Sequence, residues 1–91
     1  MKALAFSPAA AADLEHIWDH SARLWGPDQA DRYIDEIRDA CLGLASGIRQ
    51  GRPVDVRPGY LKYATGTHMI YVLDRGDRLD VIRILHQRQD V

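Results

Sequence analysis

Apolar residues recur along this chain with two different periods. From Leu14 through Ile17, Trp18, Ala22 and Trp25 the spacing is three or four, which lines one face of a helix, while Asp13, Glu15, Asp19 and Arg23 fall mainly on the other. Ser7-Pro8 supplies an N-cap with proline at the first helical position. Gly26-Pro27 closes this helix and starts a second, in which Asp28 suits the positive end of the helix dipole. Ala30, Tyr33, Ile34, Ile37, Cys41, Leu44 and Ile48 continue the helical spacing, and Gly47 marks the end. The inward faces predict Trp18, Trp25 and Tyr33 as core aromatics. Two amphipathic helices joined by so tight a turn make a helical hairpin.

The rest of the chain reads as strands. Lys2 to Phe6 is a short apolar strand ahead of the hairpin. Residues 49–59 hold two prolines and two glycines and read as a loop. Tyr60 to Ala64, His68 to Leu73 and Arg78 to His86 are strand-like, separated by short glycine-containing turns that imply an antiparallel meander. The expected fold is α+β, ordered β-α-α-β-β-β. The hairpin packs on one face of a mostly antiparallel four-stranded sheet, and residues 1–91 form one domain. Periodicity does not say which strand the first one joins.

Composition narrows the function classes. With 91 residues, 46% hydrophobic and 27% charged, the chain has the make-up of an ordinary globular domain. A lone cysteine, Cys41 on an apolar helix face, makes no internal disulfide and reads as a buried thiol in a reducing cytoplasm. No signal pattern or membrane-length apolar run occurs, so no membrane partner is expected. The net charge of −1 argues against a non-specific nucleic-acid binder. That charge is uneven: residues 1–50 carry five Lys/Arg against eight Asp/Glu, and residues 51–91 seven against five.

Candidate chemistry is sparse. The four histidines (His16, His20, His68, His86) are scattered, and only His16 and His20 share a helix face, without an acidic third ligand. No metal or cofactor site is therefore predicted. The final strand is apolar enough for the middle of a sheet, yet it carries Arg83. A charge there needs a carboxylate partner, for instance on either helix, or a groove to point into. Lys62, Arg83 and His86 could serve RNA cleavage if they converged on one sheet face. Arg83 and His86 lie three positions apart, however, which places them on opposite faces of a regular strand. The sheet face away from the hairpin should be partly apolar and open, as a partner-binding groove is.

Several segments, in order and over nearly the whole length, resemble the ParE-like branch of the ParE/RelE toxin superfamily. They are Phe6-Ser7-Pro8-Ala9-Ala10, Asp13-Leu14, Ile17-Trp18, Leu24-Trp25-Gly26, Ala30-Asp31-Arg32-Tyr33, Gly51-Arg52-Pro53, Arg57-Pro58-Gly59-Tyr60, Gly66-Thr67-His68-Met69-Ile70 and Arg83-Ile84-Leu85-His86-Gln87-Arg88. The resemblance implies the toxin of a type II toxin–antitoxin module, cytoplasmic and hetero-oligomeric with its antitoxin. It implies inhibition of DNA gyrase without catalytic residues or cofactors on the toxin. The antitoxin would be a ribbon-helix-helix protein with a C-terminal wrapping segment, through which alone operator DNA is met. Leu14, Trp18, Tyr60, Tyr71 and Arg83 are the expected antitoxin contacts, and His86, Gln87 and Arg88 the target-facing stretch, which extends to Asp90. The alternatives are a ribosome-dependent mRNA endonuclease using Lys62, Arg83 and His86, and a non-toxic antitoxin-binding copy. The latter stays open because Val72-Leu73-Asp74 stands where relatives carry aromatic and arginine residues, Gln89 replaces a methionine, and the terminus at Val91 is short.

Overall fold

The structure is a computed structural model of the 91-residue chain and describes residues 1–55 and 57–89. Strand β1 (Ala3–Phe6) leads into helix α1 (Pro8–Trp25) and helix α2 (Pro27–Ser46). Next come strands β2 (Arg52–Pro53), β3 (Tyr60–Thr65), β4 (His68–Asp74) and β5 (Arg78–His86), and a 3-10 turn covers Gln87–Gln89.

The sheet order is β1-β5-β4-β3-β2, with β1 parallel to β5 and the other pairs antiparallel. The first strand therefore docks on the last, a long-range pairing that periodicity could not reveal. The sheet has five strands where four were expected. Arg52 and Pro53, within the expected loop, pair with Lys62 and Leu61 to form the short edge strand β2.

The helix boundaries reflect local chemistry. The Ser7 hydroxyl accepts the Ala10 amide at 3.0 Å, and Pro8 needs no amide partner in the first turn. Gly26, at φ +92°, separates the helices with a backbone conformation that side-chain-bearing residues avoid. Gly47 ends α2 in the left-handed region.

Helices and sheet enclose one core. Ile37, Cys41, Ile70, Val72 and Val81 are fully buried, each large aliphatic contributing on the order of 1.5–3 kcal/mol. Ala10, Ala30 and Ala40, also fully buried, are small enough to let backbones approach closely. Trp25, expected in the core, and Ile48, which continues the helical spacing, lie outside it. Trp25 is 64% exposed at the last position of α1, and Ile48 is 84% exposed beyond Gly47, because each sits where its helix stops.

The β4–β5 register slips between Tyr71 and Val72: Val72 faces Val81, but Tyr71 faces Arg83. Ile82 is the extra residue of a β-bulge, which reverses the alternation of β5. Before it Leu79 and Val81 are buried; after it the buried position is Ile84. Arg83 is thereby turned away from the core that an unbroken alternation from Val81 would have put it in.

Candidate functional site

The bulge is stitched to the start of α1. Ser7 donates its amide to the Val81 carbonyl at 2.9 Å and its hydroxyl to the Ile82 carbonyl at 2.7 Å. Since β1 stops opposite Val81, β5 beyond that point has no strand on this side among the described residues. Asp13, one and a half turns into α1, takes over there. Its Oδ2 accepts the Ile84 amide at 2.9 Å and Arg83 Nε at 2.8 Å, and its Oδ1 accepts Arg83 Nη2 at 3.0 Å. The hydrogen bonds and charge of Asp13 raise the Arg83 guanidinium above its ordinary pKa. Arg83 thus has the helix carboxylate that sequence reasoning allowed for.

Pairing and alternation then divide the candidate residues between two faces. On the face away from the helices, Arg52, Lys62, Tyr71 and Arg83 form one row across β2, β3, β4 and β5. Lys62 and Arg83 sit two strand spacings apart, about 10 Å between backbones. Tyr60 lies on the same face, and with Val54, Arg57 and Tyr71 it lines a shallow cavity of about 310 Å³. Three expected antitoxin contacts (Tyr60, Tyr71, Arg83) therefore share a surface. Leu14 does not join them, being only 8% exposed because it packs in the helix–sheet core. Trp18, half-buried against that core, donates its indole N–H to Asp31 at 2.7 Å.

His86 pairs with His68 on the helix side of the sheet, opposite to Arg83 and Lys62. The structure thus keeps the expected separation of Arg83 from His86. His68 and His86 stand edge to face, ring centres 5.3 Å apart. The Tyr33 hydroxyl shares a hydrogen bond with His68 Nδ1 at 2.6 Å and accepts the Thr67 amide at 3.2 Å. Burial, and then the neighbouring His86 and His20, lower the His68 pKa, only partly offset by Asp13.

These groups belong to an open cleft of about 1150 Å³ between α1 and the ends of β4 and β5. His16 and His20, exposed on α1, line it together with His68, His86 and Arg88. Histidines that looked scattered in the sequence are gathered by the fold, and nothing local could have signalled it. Of the expected target-facing residues, His86 and Arg88 line the cleft. Gln87 reaches from the 3-10 turn to the Gly66 carbonyl at 2.9 Å, and Asp90 lies outside the described residues. Among the described residues no group of three His, Cys, Asp or Glu could hold a metal ion, and no helix is long and apolar enough to cross a membrane.

A family model for the ParE toxin of type II toxin–antitoxin systems matches residues 4–91. This chain belongs to the ParE toxin family. Among curated ParE toxins it is similar to Toxin ParE1 of Mycobacterium tuberculosis, 46% identical over 93% of this chain and 89% of the relative. Toxin ParE1 of Caulobacter vibrioides is 36% identical over 96% and 91% respectively. Among solved structures, a chain from a chromosomal ParDE toxin–antitoxin system of P. aeruginosa superposes with a TM-score of 0.80 at 28% identity, covering 94% of this chain and 96% of that one. A chain of the RelBE2 toxin–antitoxin complex of M. tuberculosis shares the fold alone, with a TM-score of 0.67 at 18% identity over 94% and 98%. This ParE toxin sets a helical hairpin on one face of its sheet, and among the described residues no helix covers the other face.

Proposed function

We propose that this ParE toxin arrests growth by inhibiting DNA gyrase, and that an antitoxin neutralises it by laying a segment over the open sheet face. The family membership supports a toxin, and the toxin–antitoxin assemblies among its structural relatives support an antitoxin partner. The observation that carries the choice of a non-enzymatic mechanism is the division of candidates between the two sheet faces. Arg83 leaves β5 on the opposite face from His86, and although both residues line the open cleft, its guanidinium is committed to both oxygens of Asp13, which argues against an acid–base pair about one phosphate.

On this reading the antitoxin segment sets an apolar side chain into the cavity beside Tyr60 and Tyr71, and acidic side chains along Arg52, Lys62 and Arg83. His86 and Arg88, with Gln87 between them, face the target. A second reading is favoured by the Lys62–Tyr71–Arg83 row, which could track an RNA backbone on the ribosome. Inducing the chain without antitoxin, then assaying gyrase supercoiling and primer extension on translated mRNA, separates the two. Loss of supercoiling with intact mRNA is expected. Codon-positioned cleavage with normal supercoiling would replace the first reading by the second. Healthy growth with neither effect would identify a non-toxic copy.

A further inference from the structure

The histidine cleft opens on the helix side of the sheet and meets the surface assigned to the antitoxin at Arg83, which borders both. Its walls come from segments far apart in sequence: α1 brings His16 and His20, four residues apart on one face, and β4 and β5 bring the cross-strand pair His68 and His86. Arg88 adds a permanent cation from the 3-10 turn. Of the carboxylates, Asp13 alone lines the cleft among the described residues, and both its oxygens already serve Arg83 and the Ile84 amide. Tyr33 is bound to His68 Nδ1 and the Arg88 amide donates to His86 Nδ1, so Nε2 is the nitrogen of the His68 ring left for a ligand. Trp25, an exposed flat ring at the end of α1, also lines the cleft, beside the exposed Leu24.

Such a site offers hydrogen-bond donors, positive charge and a stacking platform. We propose that the cleft binds a nucleoside phosphate, with its phosphate among the four histidines and Arg88 and its base on Trp25. A nucleotide fits better than a bare anion because charged donors suit phosphate oxygens while an exposed tryptophan suits a base. The volume admits it. Binding is coupled to protons, because phosphate favours the charged imidazoles. Raising one imidazole pKa by a unit corresponds to about a tenfold gain in affinity at acidic over alkaline pH. The neighbours that set this balance are His20, His16 and Asp13 from α1, Tyr33 from α2, and His86, Arg83 and Arg88 from the chain end.

Titration of the isotopically labelled chain with AMP, inorganic phosphate, adenosine and a short single-stranded oligonucleotide, each near pH 5.5 and pH 8, tests the proposal by nuclear magnetic resonance. AMP should shift the imidazole signals of His68 and His86 and bind about tenfold more tightly at the lower pH. Adenosine should bind far more weakly. If the oligonucleotide binds more tightly than AMP, the ligand is a nucleic-acid end; the reverse identifies a free nucleotide. The double variant His16→Gln/His20→Gln, at two exposed positions, should keep its melting temperature and lose most of its affinity for AMP. Trp25→Ala should bring AMP down to the affinity of inorganic phosphate. The proposal is overturned if AMP and phosphate leave the cleft histidines unmoved at both pH values. It is equally overturned if the double variant binds like the parent, or if only an acidic peptide binds there.

Discussion

Asp13 grips Arg83 with both carboxylate oxygens, and one of the two, Oδ2, also accepts the Ile84 amide. The two halves of this arrangement are not equal. The guanidinium is half-exposed, whereas the carboxylate is only 12% exposed and serves a backbone donor that, among the described residues, has no neighbouring strand on that side. Asp13→Ala should therefore cost about 1–3 kcal/mol through the amide left without its acceptor. Arg83→Ala should cost less, since exposed ion pairs contribute little. Urea unfolding of both variants gives the order, and a larger loss for Arg83→Ala would refute it.

Tyr33 ties α2 to the turn between β3 and β4 through its single hydroxyl. Tyr33→Phe removes the bonds to His68 and the Thr67 amide, an expected loss of about 1–2 kcal/mol. The ring itself also shapes that turn. A Cβ at Gly66 would come within 2.6 Å of Tyr33 Cε1, and Gly66 has φ +55°. Gly66→Ala should accordingly be more damaging than an alanine at the open Gly76. Thermal melts of the three variants check both statements.

Stability should fall with acid in two separate steps. Because the folded pKa of His68 lies below its ordinary value, the unfolded chain binds that proton more readily. Stability present above about pH 6.5 is thus lost as pH falls from there through the lowered folded value. A second loss comes lower, from Asp74 and Asp80. The hydrogen bond from Lys2 chiefly depresses Asp74, with the Gly76 amide helping, and the bond from Arg75 chiefly depresses Asp80. Their contribution is present above the ordinary carboxylate range and disappears as pH drops through their lowered values. Melting temperatures traced against pH should show both steps, and His68→Gln should erase only the upper one.

Burial pushes the Cys41 thiol up to about 11, and its side chain is fully buried in α2. A thiol reagent should leave the native chain unlabelled and react once denaturant opens the core, with labelling tracking the loss of helical signal. Rapid modification of the fully folded chain would contradict this.

Local signals carried the elements, and long-range pairings carried the surprises. Ser7-Pro8, Gly26-Pro27 and Gly47 fix helix ends by capping chemistry confined to a few residues, and β5 runs over Arg78–His86 as its pattern predicted. β2 was hidden because Arg52 and Pro53 become a strand only by meeting Lys62 and Leu61. Trp25 and Ile48 kept helical spacing but fell where the helices stop, so their phase pointed inward while their position did not. Arg83 was legible as a charge in need of a carboxylate. That Asp13 supplies it depends on α1 crossing the end of β5, which no window of sequence contains.

The extra residue at Ile82 acts on β5 as a frameshift acts on a message: positions before it keep their sense, and positions beyond it change sides. Ser7, at the head of α1, holds that frame through its bonds to the Val81 and Ile82 carbonyls. Were β5 to straighten with every residue kept, Arg83 and Leu85 would turn inward while Ile84 and His86 turned out. A charge would be buried, a core isoleucine exposed, Asp13 released from its partners and a wall taken from the histidine cleft. The amide and hydroxyl of Ser7, with the carboxylate of Asp13 beyond them, thus hold the end of the strand in phase from another element.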